Sequence, residues 1–174
     1  DVARLLLERG ADVEQADQAG WTPLMVVCQT GPVEAVRLLL ENGAEVDRAA
    51  EDGWTPLMIV CQTGPVEAVE LLLKHNADVS RATRGSGSTP LHIALQNGQL
   101  DTARLLLDRG AEVERADKLG RTPLDAAKHF RHDAIVALLE EHYTTKFPLH
   151  AAAKAGDVYA MALLLDGGAA VDQS

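Results

Sequence analysis

Residues 21–36 read WTPLMVVCQTGPVEAV, and residues 54–69 read WTPLMIVCQTGPVEAV, which differs only in that Ile59 replaces Val26. The two stretches begin 33 residues apart. The tripeptide TPL repeats this step at 22–24, 55–57, 89–91 and 122–124, and a degenerate copy, FPLH, follows at 147–150. A second phrase, LLLERGADV, alternates with it in several variants. A fixed period of this length predicts a row of similar structural units.

Each unit contains the signals for two short helices. Threonine offers a side-chain oxygen for the N-cap, and proline fits the first helical turn because its missing N–H needs no partner there. The second helix ends where a left-handed residue is favoured, at Gly10, Gly43, Asn76, Gly110 and Gly168. Helices this short are marginal alone in water, so the units must bury their apolar faces against one another in a solenoid.

Composition narrows the classes of function. Apolar residues make up 47% of the 174 residues but aromatic residues only 3%, which favours closely packed helices of Leu, Val and Ala. The chain has 16 Lys and Arg against 26 Asp and Glu, and its formal charge of −10 disfavours binding to nucleic acid. The apolar runs are too short to cross a bilayer, and two cysteines do not make a disulfide framework. We therefore expect an intracellular protein, cytoplasmic or nuclear, that does not bind membranes.

With TPLH-like phrases opening the first helix and GADV-like phrases closing the second, the sequence resembles the ankyrin repeat family over essentially its whole length. The resemblance implies an all-α fold: an ankyrin-repeat α-solenoid of about five repeats, including partial ones, with short β-hairpin-like fingers between them. It also implies a concave groove, made of fingers and first helices, that binds other proteins. The third finger carries a one-residue insertion, RGSGS at 84–88, which predicts a looser tip.

The predicted boundaries follow the period as far as residue 142. Residues 1–142 form ankyrin repeats, divided into a partial repeat at 1–20, full repeats at 21–53, 54–87 and 88–120, and a closing repeat at 121–142. The segment LLEEHYTTKFPLH leaves no room for a finger, so residues 143–146 are predicted as a short junction before a further partial, opening-like repeat at 147–174. This interruption suits a fragment, a rearranged order or a junction between two arrays.

Several positions depart from the family pattern. A histidine follows the Pro-Leu pair only at His92 and His150, and both are predicted to make structural hydrogen bonds. Met25 and Met58 replace it in the first two full repeats, either as soft apolar contacts or as groove residues. Arg131 stands where a glycine is expected between two helices, at a cost of about 1 kcal/mol if the position needs a positive φ.

The side chains with catalytic or metal-binding potential favour structural roles. Cys28 and Cys61 occupy equivalent positions. We predict that both are buried structural side chains, because neither has a histidine one turn away that could activate a thiolate. His129, His132 and Asp133 have a spacing that a metal could use, but no further ligand is specified and nearby basic residues disfavour a cation. We predict no catalytic residue, no metal and no cofactor.

Binding residues are predicted on the finger and first-helix surface. Trp21 and Trp54 precede Thr-Pro at the base of two fingers, where each is either an interface anchor or packed on its neighbouring finger. Basic residues gather at 115–132, which indicates either a solvated charged face or the basic end of a groove suited to a partner with an acidic segment. The predicted partner-binding residues are Trp21, Gln29, Thr30, Trp54, Gln62, Thr63, Gln96, Lys118 and Arg121.

The sequence therefore predicts a monomeric, non-catalytic scaffold that binds a partner protein or peptide through this concave surface. No phosphate-binding loop, Ser/His/Asp arrangement or paired-carboxylate motif is recognisable in it. The alternative is that the repeats form the targeting or regulatory segment of a larger enzyme, such as a kinase or a ubiquitin ligase.

Overall fold

The computed structural model describes residues 2–166, whose backbone forms helices and turns without a β-strand. Successive helix pairs stack side by side, so the predicted all-α solenoid is confirmed. In chain order the helices are α1 (Val2–Glu8), α2 (Pro23–Thr30), α3 (Val33–Glu41), α4 (Pro56–Thr63), α5 (Val66–Lys74), α6 (Pro90–Gln96), α7 (Leu100–Asp108), α8 (Pro123–His129), α9 (Asp133–Lys146), α10 (Pro148–Ala155) and α11 (Val158–Asp166).

The helices α2, α4, α6 and α8 each begin at a threonine–proline pair, as the sequence predicts. The hydroxyls of Thr22, Thr55, Thr89 and Thr122 accept hydrogen bonds from the amides three residues later, at 3.2 to 3.4 Å. In α8 the cap is reciprocal, because the Asp125 carboxylate accepts a bond from the Thr122 amide at 2.9 Å. Each cap satisfies an amide that a helix start leaves without a partner, and it stabilises the helix by about 1 kcal/mol.

A single core runs from repeat to repeat. The first helices α2, α4, α6 and α8 pack in one row, and the second helices α3, α5, α7 and α9 pack beside them. Leu57, Leu72, Leu91 and Leu106 are fully buried between the two rows. Burying one such side chain contributes about 1.5–3 kcal/mol, so packing between repeats stabilises helices that are too short to form alone.

The loops between repeats form narrow, hairpin-like fingers. A residue with positive φ follows the second helix at Gly43 (87°), Asn76 (63°) and Gly110 (84°), where the chain leaves the helix. Each finger is then closed across its base by a backbone hydrogen bond, such as that from the Asp17 amide to the Trp21 carbonyl at 3.0 Å. The chain is thereby returned to the next Thr-Pro pair, at the start of the following first helix.

The third finger, which carries the insertion, is closed by its own hydroxyl groups. The Ser86 hydroxyl lies 2.9 Å from the Thr83 hydroxyl and 2.8 Å from the Ser88 hydroxyl. The Gly87 amide also donates to the Thr83 carbonyl at 3.1 Å. These short polar side chains satisfy hydrogen-bonding groups that the longer loop would otherwise leave without partners, and the looser tip expected from the insertion stays a prediction.

The regular pattern ends at α9, which has 14 residues where α7 has nine. Tyr143 occupies the position at which the preceding repeats have Gly43, Asn76 and Gly110 with a positive φ. Because a bulky side chain disfavours that conformation, the helix continues to Lys146. Residues 143–146, expected as a short junction, form the last turn of α9, and Phe147 alone separates it from α10.

The helices α10 and α11 form a further pair, with α10 packed against α9. Phe147 precedes α10 and provides no side-chain hydrogen bond to cap it. His150 was expected to make a structural hydrogen bond, but it is exposed and meets the Tyr143 ring edge-on, with 5.7 Å between the ring centroids. Arg131 adopts the positive φ that its position requires, at 58°. The predicted helix end at Gly168 lies outside the described residues.

Candidate protein-binding surface

Two tryptophans one repeat apart stand at the bases of the first and second fingers. Trp21 and Trp54 are both half-buried, and each packs part of its side chain against the core. Their backbone positions are fixed by short loops: the Trp21 amide donates to the Asp17 carboxylate at 2.9 Å, and the Trp54 amide to the Asp52 carboxylate at 3.1 Å. Each side chain therefore contacts the core and also reaches solvent.

The predicted polar contacts lie at the other end of the first helices. Gln29 and Thr30 close α2, Gln62 and Thr63 close α4, and all four side chains are exposed. An eight-residue helix is about 12 Å long, so each exposed pair is separated from the tryptophan of its own repeat by roughly that distance. Gln96, at the equivalent point of α6, is half-buried, and its carbonyl lies 3.3 Å from the His132 imidazole.

Arg121 is held within its own finger. Its guanidinium donates two hydrogen bonds to one oxygen of the Asp117 carboxylate, at 2.9 and 2.7 Å, and that carboxylate is buried. The other oxygen accepts bonds from the Leu119 and Arg121 amides. Burial alone would raise the pKa of Asp117, but these hydrogen bonds outweigh it and lower the pKa. The charge of Arg121 is therefore largely balanced inside the finger.

The exposed finger tips change sign along the solenoid. Glu51 and Asp52 form an acidic second tip, whereas Arg84 in the third tip and Lys118 in the fourth are basic and exposed. The Lys118 ammonium donates to the Arg84 carbonyl, and the Arg84 guanidinium donates to the Glu51 carbonyl at 2.8 Å. These acceptors are neutral carbonyls, and within residues 2–166 neither cation forms an ion pair with a carboxylate. Sequence reasoning missed Arg84, although it occupies the position equivalent to Lys118 one repeat earlier.

Several residues with chemical potential lie in the core instead of on this surface. Met25 and Met58 are fully buried, so they contribute apolar contacts and no groove surface. The Cys28 and Cys61 thiols are free and buried, as predicted. Burial raises the pKa of Cys28 to about 12 and raises that of Cys61 further, which keeps both thiols protonated. They therefore lack the thiolate that a nucleophile needs.

The His129, His132 and Asp133 group is spread over the turn between α8 and α9. The Nε2 atom of His132 lies 3.3 Å from the carbonyl of Gln96, so this side chain contacts the turn of the previous repeat. His129 is exposed, and its ring meets Phe130 edge-on at 5.0 Å between centroids. Between residues 2 and 166, no three His, Cys, Asp or Glu side chains are grouped so that they could hold a metal ion.

A cleft of about 990 Å³ opens between α8, α9 and α10, next to the loop that leads into the fourth finger. Its walls are mainly apolar and include Val113, Leu124, Leu139 and Tyr143. Sequence reasoning missed this cleft. Its signal in the sequence is Tyr143, which stands where a glycine is expected. Because α9 continues through Tyr143, a helix takes the place of the loop that would have formed a fifth finger. None of the helices within residues 2–166 has the length and apolar character that crossing a bilayer requires.

Comparison with models of protein families identifies the repeat independently of the geometry. A model described as ankyrin repeats in three copies matches residues 1–83 and 80–146, and a model described as a single ankyrin repeat matches residues 146–174. The matches together span the whole chain. No curated protein gave a match.

Proposed function

Since the chain belongs to the ankyrin repeat family, whose repeats generally mediate protein–protein interaction, we propose that it is a non-catalytic scaffold that binds a partner protein through its fingers and first helices. The observation that carries the proposal is the pair of half-exposed tryptophans, Trp21 and Trp54, at equivalent positions one repeat apart. Tryptophan is enriched among the residues that dominate binding energy, because its large rigid side chain buries much area at a small entropic cost.

The polar part of the proposed surface is formed by Gln29, Thr30, Gln62 and Thr63, whose exposed side chains lie at the ends of α2 and α4 opposite the two tryptophans. Amide and hydroxyl groups can both donate and accept hydrogen bonds, so this part would recognise a partner backbone or polar side chains. Gln96 would continue the row with a smaller exposed area, because it is half-buried.

The partner that fits the other end of the surface carries an acidic segment. Lys118 and Arg84 are exposed on neighbouring tips, and their hydrogen bonds to carbonyl oxygens orient the two cations without cancelling their charge. Arg121, which is paired with Asp117, would shape the finger and contribute little charge to the partner. Such an arrangement favours association rate and orientation more than affinity.

The test is a comparison of partner capture by matched double variants of the full chain. Trp21→Ala with Trp54→Ala removes both proposed anchors, whereas Glu34→Ala with Glu67→Ala changes two exposed residues, also one repeat apart, on α3 and α5. Quantitative affinity capture with mass spectrometry should show partners lost by the first variant and kept by the second, at a temperature at which circular dichroism shows both variants to be folded. Equal capture by both variants would refute the placement of the binding surface.

A further inference from the structure

Each finger is tied to the finger before it by a backbone hydrogen bond at the tip. The Glu51 amide donates to the Ala19 carbonyl at 3.1 Å, and the Lys118 amide donates to the Ser86 carbonyl at 2.8 Å. Between these two, the amide of Arg84 donates to the second finger at 2.8 Å. In all three cases, a backbone carbonyl at the tip of one finger accepts a hydrogen bond from a backbone amide of the next finger.

A second contact recurs nearer the base of the fingers. The Glu14 carboxylate accepts a hydrogen bond from the Glu45 amide at 2.8 Å and pairs with the Arg48 guanidinium at 2.8 Å. One repeat later, the Asp47 carboxylate accepts a bond from the Asp78 amide at 2.9 Å. In these two fingers an acidic side chain thus accepts from the next finger, whereas in the third finger Ser80 stands at this position and its carbonyl accepts from the Arg115 guanidinium.

The fourth finger presents the same two acceptors, but no finger follows it. Leu119 occupies the tip position of Ala19, and Glu114 occupies the position of Glu14. Within residues 2–166, neither the Leu119 carbonyl nor the Glu114 carboxylate takes part in a hydrogen bond or an ion pair. The reason lies in the continuation of α9 through Tyr143, which replaces the loop that would have formed a fifth finger.

The space beside these acceptors is the cleft of about 990 Å³, which Glu114 itself lines. That volume lies at the upper end of the range typical of ligand pockets. Its walls include the apolar side chains of Val113, Leu124 and Leu139. In the same way, valines in the fingers, such as Val46, pack against apolar side chains of the core. The side chain of Leu119, at the tip of the same finger, is 72% exposed.

We propose that an extended segment of a partner protein occupies the position of the missing fifth finger. The segment carries an aliphatic side chain that fills the cleft and, two residues later, an arginine that pairs with Glu114, in the order found in the sequence Val46–Asp47–Arg48. Its backbone amides donate to Glu114 and to the Leu119 carbonyl, as an added strand donates to the edge of a sheet. This site lies beyond the fourth finger and is separate from Trp21 and Trp54, which carry the proposed function.

A second copy of the chain is a less suitable occupant than a partner. In the folded chain, the finger residues that make these contacts are already used, since Arg48 pairs with Glu14 and the Glu45 amide donates to the same carboxylate. A segment without a fixed structure is free to offer the same groups. Its arginine also complements the Glu114 carboxylate, which makes no ion pair within residues 2–166.

The experiment uses the full chain and a capped peptide with the sequence of residues 77–86, ADVSRATRGS, as a surrogate for the partner segment. This sequence contains the required valine and arginine and has a net positive charge. Titration followed by backbone amide NMR should perturb signals of the chain at 113–124 and 139–151. The same peptide with Arg81→Ala should bind about tenfold more weakly, as expected for the loss of one charged contact.

A matched pair of chain variants then tests the acceptor. Glu114→Gln should weaken peptide binding about tenfold, whereas Glu112→Gln, an exposed glutamate two residues earlier, should change it less than about twofold. Trp21→Ala with Trp54→Ala should leave peptide binding unchanged, so failure of the proposed function and failure of this site give different results.

Four outcomes would overturn the proposal. These are no perturbation at millimolar peptide, perturbation confined to residues 21–63, equal effects of the two glutamate variants, or dimerisation of the free chain that Glu114→Gln abolishes. The last outcome would assign the site to a second copy instead of a partner.

Discussion

The Nε2 atom of His92 lies 3.2 Å from the backbone carbonyl oxygen of Arg121 and joins the third repeat to the fourth finger. The Nδ1 atom of the same ring accepts a hydrogen bond from the Thr89 amide at 3.3 Å. An accepting Nδ1 requires the proton to be on Nε2, which therefore donates to Arg121. The fully buried ring thus makes these bonds only in its neutral form.

The stability of the protein should fall on acidification through His92. Burial lowers the pKa of this residue below its ordinary value near 6.5, so the unfolded state binds the proton more readily than the folded state does. The free energy of unfolding should therefore decrease as the pH falls below about 6.5, by at most about 1.4 kcal/mol per pH unit from this group. Urea denaturation at pH 7.5 and 5.5 measures the change.

The control for this effect is His92→Met, which copies Met25 and Met58 at the equivalent buried position. It should lower the free energy of unfolding at pH 7.5 by about 1–3 kcal/mol through lost hydrogen bonds, and it should reduce the dependence on pH. His129→Gln, at an exposed site, should keep the dependence of the unmodified protein. An unchanged pH dependence in His92→Met would contradict the assignment.

Two equivalent finger aspartates should differ in their contribution to stability. Asp117 is buried and accepts bonds from two amides and from Arg121, whereas Asp17 is exposed and accepts from the Ala19 and Trp21 amides. Asp117→Ala should cost about 3–5 kcal/mol, because it leaves amides and a guanidinium without partners, and Asp17→Ala about 1 kcal/mol. Chemical denaturation of the two variants compares them directly, and equal losses would show that burial of the Asp117 pair has no energetic consequence.

The continuation of α9 should depend on Tyr143. Tyr143→Gly restores the residue type that precedes the first two complete fingers, and glycine within a helix costs about 1 kcal/mol relative to alanine. Amide hydrogen exchange at residues 144–147 should accelerate in Tyr143→Gly and much less in Tyr143→Ala, which removes the same ring but favours the helix. Similar exchange in both variants would mean that the aromatic contacts, and not the backbone preference, hold this turn.

Features that depend on residues close together in the sequence could be predicted, whereas features that depend on contacts between distant residues could not. Helix starts at Thr22 and Thr89 are predictable because a threonine cap and its amide lie three residues apart. The same local preference at Tyr143 favours a longer α9, but the family pattern led instead to the prediction of a short junction at residues 143–146. The pairing of Arg121 with a buried Asp117 depends on how the finger packs in three dimensions. A sequence shows both residues without showing that their charges cancel.

The two thiols should report the order in which the repeats open. Burial raises the pKa of Cys28 to about 12 and keeps its thiol protonated at pH 8, and Cys61 is more completely buried still. Labelling by a disulfide reagent therefore requires local or global unfolding. Repeats interact only with their neighbours, so opening should propagate along the array and Cys28, on the outer helix α2, should react before Cys61 on α4. Single Cys28→Ala and Cys61→Ala variants assign each rate at pH 8, and identical rates would show that the array opens in one cooperative step.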